Sequence, residues 1–260
     1  MNKNICLQIL ICLLLTSCFT NKKTLVVTTE NKTFEVVLDS TDLFDTSRNR
    51  KVPVVIYKPK SDHQIEKQKV VIFSHGYYQN KGNSNTKYSY LTNFLASKGY
   101  FVASIQHELP TDSLIPKTGI PQIVRMPFWK RGADNILFVI NELKKSNPNL
   151  DFKHITLIGH SNGADMTALF SQKYPKTADK IITLDNRRMA LPRTNHPKVY
   201  SLRSSDLPAD EGVLPTEDEK KKFGIKIIRL PNTIHNNMDD HATNEQRKEI
   251  NDYIFTFLNE

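Results

Sequence analysis

The sequence predicts an α/β domain on a mostly parallel sheet with helices on both faces and an antiparallel strand pair at its N-terminal edge. Three observations predict it. Short runs rich in Val, Ile, Phe and Tyr alternate with segments of helical periodicity. Several of those runs, such as Lys69-Val70-Val71-Ile72-Phe73-Ser74, are apolar throughout rather than alternating, as strands buried on both faces are. The chain has 260 residues, 24% charged and 38% hydrophobic, which suits one large domain and excludes both a disulfide miniprotein and a disordered chain.

Taken in order, residues 33–38 and 52–57 read as strands. The polar stretch 39–51 between them has Asp-Ser-Thr-Asp turn chemistry, so an antiparallel pair is expected. Residues 69–74 form a strand. Residues 88–97 form a helix, with Leu91, Phe94 and Leu95 at helical spacing and a stop at Gly99. Strand 100–105 follows. Residues 133–145 make a helix through Ile136, Leu137, Val139, Ile140 and Leu143, ended by Asn147-Pro148. Then come strand 154–158, helix 164–173, strands 180–184 and 198–202, a short helix 216–222, strand 225–230 and a closing helix 244–258. Residues 108–131 break the rhythm. With Pro110, Pro116, Pro121 and Pro127 they are expected to form a lid or pocket wall, and Phe128 and Trp129 could join Tyr77 and Tyr78 in an apolar pocket.

Gly159-His160-Ser161-Asn162-Gly163 fits the Gly-x-Ser-x-Gly pattern, directly after one predicted strand and at the opening of a helix. That placement is the test of a nucleophile elbow, in which a tight turn lifts the serine oxygen clear of the sheet. A serine hydroxyl needs a base, and the base needs an orienting acid. His235, on the loop after the last strand, is the expected base; His241 sits nearer the final helix. Asp206, beyond the end of strand 198–202, is the expected acid, with Asp210 and Asp185 as alternatives. The backbone N–H of Asn162 and that of Tyr77, after Ser74-His75-Gly76, are the expected oxyanion donors. Arg131 and Asp134 are expected to pair at a helix start, and His107 to be a structural hydrogen-bonding group.

This chain order of serine, acid and histidine resembles the serine hydrolases of the α/β-hydrolase superfamily. Ser74-His75-Gly76, Ile105-Gln106-His107, Arg131-Gly132-Ala133-Asp134 and His235-Asn236-Asn237-Met238 resemble its dienelactone-hydrolase and platelet-activating-factor-acetylhydrolase-like branch. The resemblance implies the α/β-hydrolase fold, a small-molecule carboxylic-ester substrate and no cofactor. Peptidase, thioesterase or acyltransferase chemistry on the same site, or a non-catalytic binding lipoprotein, are the alternative readings. Halide and epoxide chemistry would need a carboxylate where Ser161 stands.

The first eighteen residues read as an address. Lys3 precedes an eleven-residue apolar stretch, 5–15, broken only by Gln8 and too short to span a bilayer of about 30 Å. It ends in Leu15-Thr16-Ser17-Cys18, which resembles a bacterial lipobox. The expected organisation is a lipoprotein signal peptide, 1–17, a lipidated Cys18 with a tether through 32, and a hydrolase domain from 33 to 260. The protein would be secreted across the inner membrane and held to the cell envelope by acyl chains, on the periplasmic side or at the outer membrane. The three cysteines, Cys6, Cys12 and Cys18, leave no thiol in the domain itself. A net charge of +9 is dispersed. The longest cationic run, Lys220-Lys221-Lys222, follows Glu217-Asp218-Glu219 and suits a solvated helix face, not a nucleic-acid surface. Asp239, Asp240 and His241 are too close in sequence to enclose a metal without further ligands.

Overall fold

The computed structural model describes residues 33–63 and 65–260. The expected signal peptide, Cys18 and the tether lie outside the described residues. The eight strands are β1 (Val36–Asp45), β2 (Arg50–Pro59), β3 (Gln68–Ser74), β4 (Phe101–Ile105), β5 (Leu150–His160), β6 (Lys180–Leu184), β7 (Lys198–Arg203) and β8 (Lys226–Arg229). They form one sheet in the order β1-β2-β4-β3-β5-β6-β7-β8. β1 is antiparallel to β2 and β2 to β4; every pair from β4 onward is parallel. The helices are α1 (Ser89–Ser97), α2 (Pro121–Val124), α3 (Met126–Ser146), α4 (Asn162–Lys173), α5 (Glu217–Phe223) and α6 (Asn244–Asn259).

Strand residues alternate between two cores, one on each face. Val52, Val54 and Ile56 of β2, Val70 and Ile72 of β3, and Ile155 and Leu157 of β5 pack with Ala133, Ile136, Val139 and Ile140 of α3 and with Met166, Ala168 and Phe170 of α4. Val55 and Tyr57, Val71 and Phe73, and Ile158 face the other way, onto Leu91 and Leu95 of α1 and Ile250, Ile254 and Phe257 of α6. Both faces are apolar because both are covered, and this is why the central strands carry no polar alternation.

Two boundaries differ from the sequence reading for plain physical reasons. Residues 39–51 are not a long turn: β1 runs to Asp45 and pairs with β2 from Val36↔Pro59 to Asp45↔Arg50. Its polar residues are those of a sheet edge, with Asp39 to Asp42 exposed. Helix α3 begins at Met126, seven residues early, because Pro127 lies in the first turn, where its missing N–H breaks no helical bond. The segment 108–131 is therefore helical over its second half. It is also pinned: Asp112 takes both guanidinium arms of Arg50 at 2.9 and 2.8 Å, and Asn80 Nδ2 donates to the carbonyls of Asp112 and Ser113.

Candidate active site

Strand β5 ends at His160 and α4 begins at Asn162, leaving Ser161 alone at the turn with φ 52° and ψ −118°. Left-handed backbone is strained for any residue with a side chain, so the fold must impose it. The imposition comes from close packing. A Cβ on Gly163 would overlap the carbonyl oxygens of Ser74 and His75, and one on Gly159 would overlap the Gly163 backbone and Thr167 Oγ1. The Ser161 N–H donates to Leu184 O at 2.9 Å, and its carbonyl accepts from the Asp165 N–H at 3.0 Å.

His235 follows β8 and the turn 231–234. Its Nε2 lies 2.9 Å from Ser161 Oγ, and its Nδ1 lies 2.5 Å from Asp185 Oδ2. Sequence reasoning thus names the serine and the imidazole that meet, but prefers Asp206 as the acid, and the carboxylate at the ring is Asp185, one of its alternatives. Asp206 is not at the ring: it is exposed, and its Oδ1 accepts the backbone N–H of His235 at 2.7 Å. Asp210 is farther out, accepting from Gln122 Nε2 at 3.1 Å. Asp185 stands directly at the end of β6, beside the elbow strand, with φ 57° and its N–H bonded to Leu202 O at 2.9 Å. It is fully buried. Burial pushes its carboxyl up, but the His235 imidazole, the Arg203 guanidinium (2.9 Å), and the hydroxyl (2.7 Å) and N–H (3.1 Å) of Ser204 outweigh it and hold the group below its ordinary value. The available signal was an aspartate placed immediately after an apolar strand, at the carboxyl edge where an α/β sheet carries its site.

The loop after β3 is held by buried imidazoles. His75 Nδ1 donates to Gly76 O at 2.6 Å, and its Nε2 accepts the His107 N–H at 3.1 Å, which fixes one neutral tautomer. Burial depresses His75 to about 4. The Gly76 N–H donates to the Tyr88 hydroxyl at 3.0 Å, and that hydroxyl also bonds His160 Nδ1 at 2.7 Å. His160, depressed to about 3 by burial and by the charge of His235, lies with its ring centroid 4.7 Å from that of His235. Tyr77 and Tyr78 therefore enter a cavity of about 480 Å³ whose walls also include Ser161, His160, His235, Asn237 and His241. Trp129 does not join them. It is buried in the core, where its Nε1 donates to Asn162 Oδ1 at 2.9 Å, while Asn162 Nδ2 donates to Glu108 Oε1 at 3.0 Å. With its side chain anchored there, Asn162 heads α4, and its backbone N–H is one of those a helix start leaves without an internal partner. None of residues 108–131 lines this cavity among the described residues; the segment touches it through the Ile115 N–H, which donates to the Tyr77 hydroxyl at 3.1 Å.

Other residues flagged from sequence have structural partners. Asp240 caps α1 through the N–H groups of Ser89 and Tyr90, both at 3.1 Å. Asp239 accepts from the Tyr78 hydroxyl and from the His241 N–H. Arg131 and Asp134 do not pair: Arg131 faces Asp112 at 3.3 Å, and Asp134 takes Lys173 at 2.5 Å. His107 Nε2 bonds Ser74 Oγ at 3.0 Å, the structural role expected of it.

A serine on a strained strand-to-helix turn, an imidazole within hydrogen-bond reach and a buried carboxylate behind that imidazole form an arrangement chemically suited to acyl transfer. The comparisons with known proteins bear on the fold that carries this site. A family model described as platelet-activating factor acetylhydrolase, isoform II, matches residues 36–113, which carry β1 to β4. No curated protein sequence matches the chain. Among solved structures, esterase Est22 superposes with a TM-score of 0.63 at 13% identity, over 86% of this chain and 82% of that one. Brefeldin A esterase, described as a bacterial homologue of human hormone sensitive lipase, gives 0.59 at 10% identity, over 87% and 77%. A putative dipeptidyl aminopeptidase IV from Bacteroides ovatus gives 0.61 at 14% identity, over 86% of this chain and 36% of that one. The chain has the α/β-hydrolase fold.

Proposed function

We propose that the protein is a serine hydrolase of small carboxylic esters, working through Ser161, His235 and Asp185. The observation that carries this reading is the continuous hydrogen-bonded chain from Ser161 Oγ through the His235 ring to Asp185. The matched acetylhydrolase family model and the esterase neighbours support it.

Asp185 accepts the Nδ1 proton of His235, so the basic lone pair of the neutral ring is on Nε2, facing the serine. Ser161 Oγ attacks the ester carbonyl as Nε2 takes its proton. The carbonyl oxygen becomes an oxyanion, held by the N–H groups of Asn162 and Tyr77 near the positive end of α4. The imidazolium, stabilised by Asp185, then protonates the departing alcohol. Water repeats the sequence on the acyl-serine, Nε2 taking its proton and returning it to Ser161 as the acid leaves. In this reading the protein works at the cell envelope, tethered through acylated Cys18. Palmitate incorporation in the bacterial host, present in the parent and lost in Cys18→Ser, tests the tether.

The enzymatic test is a chain-length series of aryl esters beside matched anilides and thioesters. Esters are expected to be cleaved fastest, with Ser161→Ala lowering turnover by about 10⁴-fold or more. Anilide cleavage exceeding ester cleavage, or turnover that survives Ser161→Ala, would refute the assignment.

A further inference from the structure

Glu108 is a buried carboxyl that the chemistry above does not use. It opens the segment 108–131 and is 1% exposed. Burying such a group is costly unless it has partners. Among the described residues it makes no ion pair with a lysine or arginine: Arg50 and Arg131 go instead to Asp112, at 2.8 and 3.3 Å. Its two oxygens face the two elements that carry the oxyanion donors. Oε1 accepts from Asn162 Nδ2 at 3.0 Å, at the head of α4. Oε2 stands 3.7 Å from His75 Nε2, on the loop after β3. The Glu108 backbone is held as well. Its carbonyl accepts from Gln106 Nε2 at 2.6 Å, and Gln106 Oε1 accepts the Ser84 N–H at 2.7 Å.

Each contact bears on one donor. The Asn162 side chain is fixed between Glu108 and Trp129, so the first residue of α4 cannot turn and its backbone N–H keeps its aim. On the other side, His75 Nδ1 donates to Gly76 O at 2.6 Å. That carbonyl belongs to the same peptide unit as the Tyr77 N–H, and a trans peptide points the two in opposite directions. Holding the carbonyl to the ring therefore aims the Tyr77 N–H away from it. This unit runs beside the nucleophile: a Cβ on Gly76 would lie 3.5 Å from Ser161 Cβ. The hold needs a proton on His75 Nδ1, hence a lone pair on Nε2, which accepts the His107 N–H. A neutral Glu108 leaves that tautomer undisturbed. A carboxylate facing the lone pair favours a proton on Nε2 instead, which releases Gly76 O and the His107 N–H. Burial and the charge of Asp112 raise Glu108 to about 7, against the pull of Arg131 on α3 and Arg50 on β2, so the neutral form prevails below about pH 7.

We propose that Glu108 is a positioning residue of the oxyanion hole, a single buried carboxyl group that keeps the Asn162 and Tyr77 N–H groups on target from behind. It acts through Asn162 and His75 and touches neither substrate nor reacting atoms. The inference rests on the ester-hydrolase reading and deepens it. Donors aimed in advance are worth most where charge develops only in the transition state, so the loss belongs in kcat and not in KM.

The test measures kcat, KM and inhibition by an aryl trifluoromethyl ketone, whose adduct with Ser161 carries the oxyanion, in the parent, Glu108→Leu and Glu108→Gln proteins at pH 6. Leucine fills the space without an acceptor; glutamine keeps the acceptor for Asn162 and carries no charge. Glu108→Leu is expected to lower kcat by about ten-fold or more and to weaken the ketone by a similar factor, with KM within about two-fold of the parent. Glu108→Gln is expected to stay within about two-fold of the parent in all three. A purely structural Glu108 would lower the melting temperature and leave the ketone affinity in place. A leucine variant with the parent's kcat and ketone affinity, or a loss that glutamine does not restore, overturns the proposal. If the leucine variant does not fold, the kcat ratio of Glu108→Gln to parent decides. His235 titrates alike in both, so the ratio is expected to rise by about five-fold or more from pH 6 to 8.5, and a flat ratio overturns the proposal. Failure of the esterase reading is distinguishable, because then the parent cleaves no ester. The rate of fluorophosphonate labelling of Ser161, which draws on the same two donors, then replaces kcat: slower labelling in Glu108→Leu supports the proposal, and equal or absent labelling overturns it.

Discussion

At the residue scale, the two aspartates near His235 have opposite duties. Asp185 contacts the ring and is buried among Arg203, Ser204 and His235. Asp206 contacts only the backbone N–H of the same residue and is exposed. Asp185→Asn removes the charge that stabilises the imidazolium and unsettles the tautomer, so kcat is expected to fall by about 10⁴-fold. Asp206→Asn keeps an oxygen acceptor for the N–H and should lower kcat by less than about ten-fold. Steady-state rates on one aryl ester check both, and equal losses would contradict this division. Ser161 and His235 were legible in the sequence because each has a local signature: glycines two residues away on either side for the first, a loop off the last strand for the second. The acid has no such signature. Aspartates follow two successive strands, and only the packing of Arg203 and Ser204 onto β6 shows which one is buried at the ring. Glu108, which anchors Asn162 from 54 positions away, was invisible for the same reason.

The strand–turn–helix element that presents Ser161 is built on absence of side chains. Gly163 lies against the carbonyls of Ser74 and His75, so α4 sits nearly in contact with the end of β3. Gly163→Ala must push the two elements apart, costing more than about 2 kcal/mol and moving the Asn162 N–H. Urea denaturation and ester turnover are both expected to suffer; a variant as stable and active as the parent would show that the elbow tolerates slack. Elements were read well where one residue type decides, as with the Gly99 stop after α1. They were read poorly where exposure decides. The polar run 39–51 looked like a turn, yet a sheet edge can be equally polar. The prolines of 108–131 suggested loop throughout, although Pro127 lies where a helix accepts it.

Across the whole molecule, eight strands gather Ser161 from the end of β5, Asp185 from the end of β6 and His235 from beyond β8 at the carboxyl edge of one sheet, above a layer of buried ionisable groups. That layer makes stability depend on pH. Burial raises Glu108 from 4.5 to about 7. A folded-state value above the unfolded one means the folded protein keeps a proton that the unfolded chain has lost, so this group lowers stability progressively from pH about 4.5 to about 7. His75 and His160, depressed to about 4 and about 3, act the other way: the stability they allow is complete above pH about 6.5 and is lost as pH falls. Glu108→Gln keeps the acceptor for Asn162 and cannot ionise. Its stability relative to the parent should therefore climb by on the order of 3 kcal/mol between pH 4.5 and 7, read by urea denaturation at each pH. A difference that stays constant over that range would contradict the burial argument. Catalysis as proposed depends on Ser161 being a nucleophile activated by His235. The direct measurement is covalent labelling with a fluorophosphonate, with the adduct located by peptide mass spectrometry and its rate compared in the parent, S161A and H235A proteins. A stoichiometric adduct on Ser161, absent in S161A and formed at least about 100-fold more slowly in H235A, is the predicted result. An unlabelled parent protein, or an adduct carried elsewhere, would contradict it.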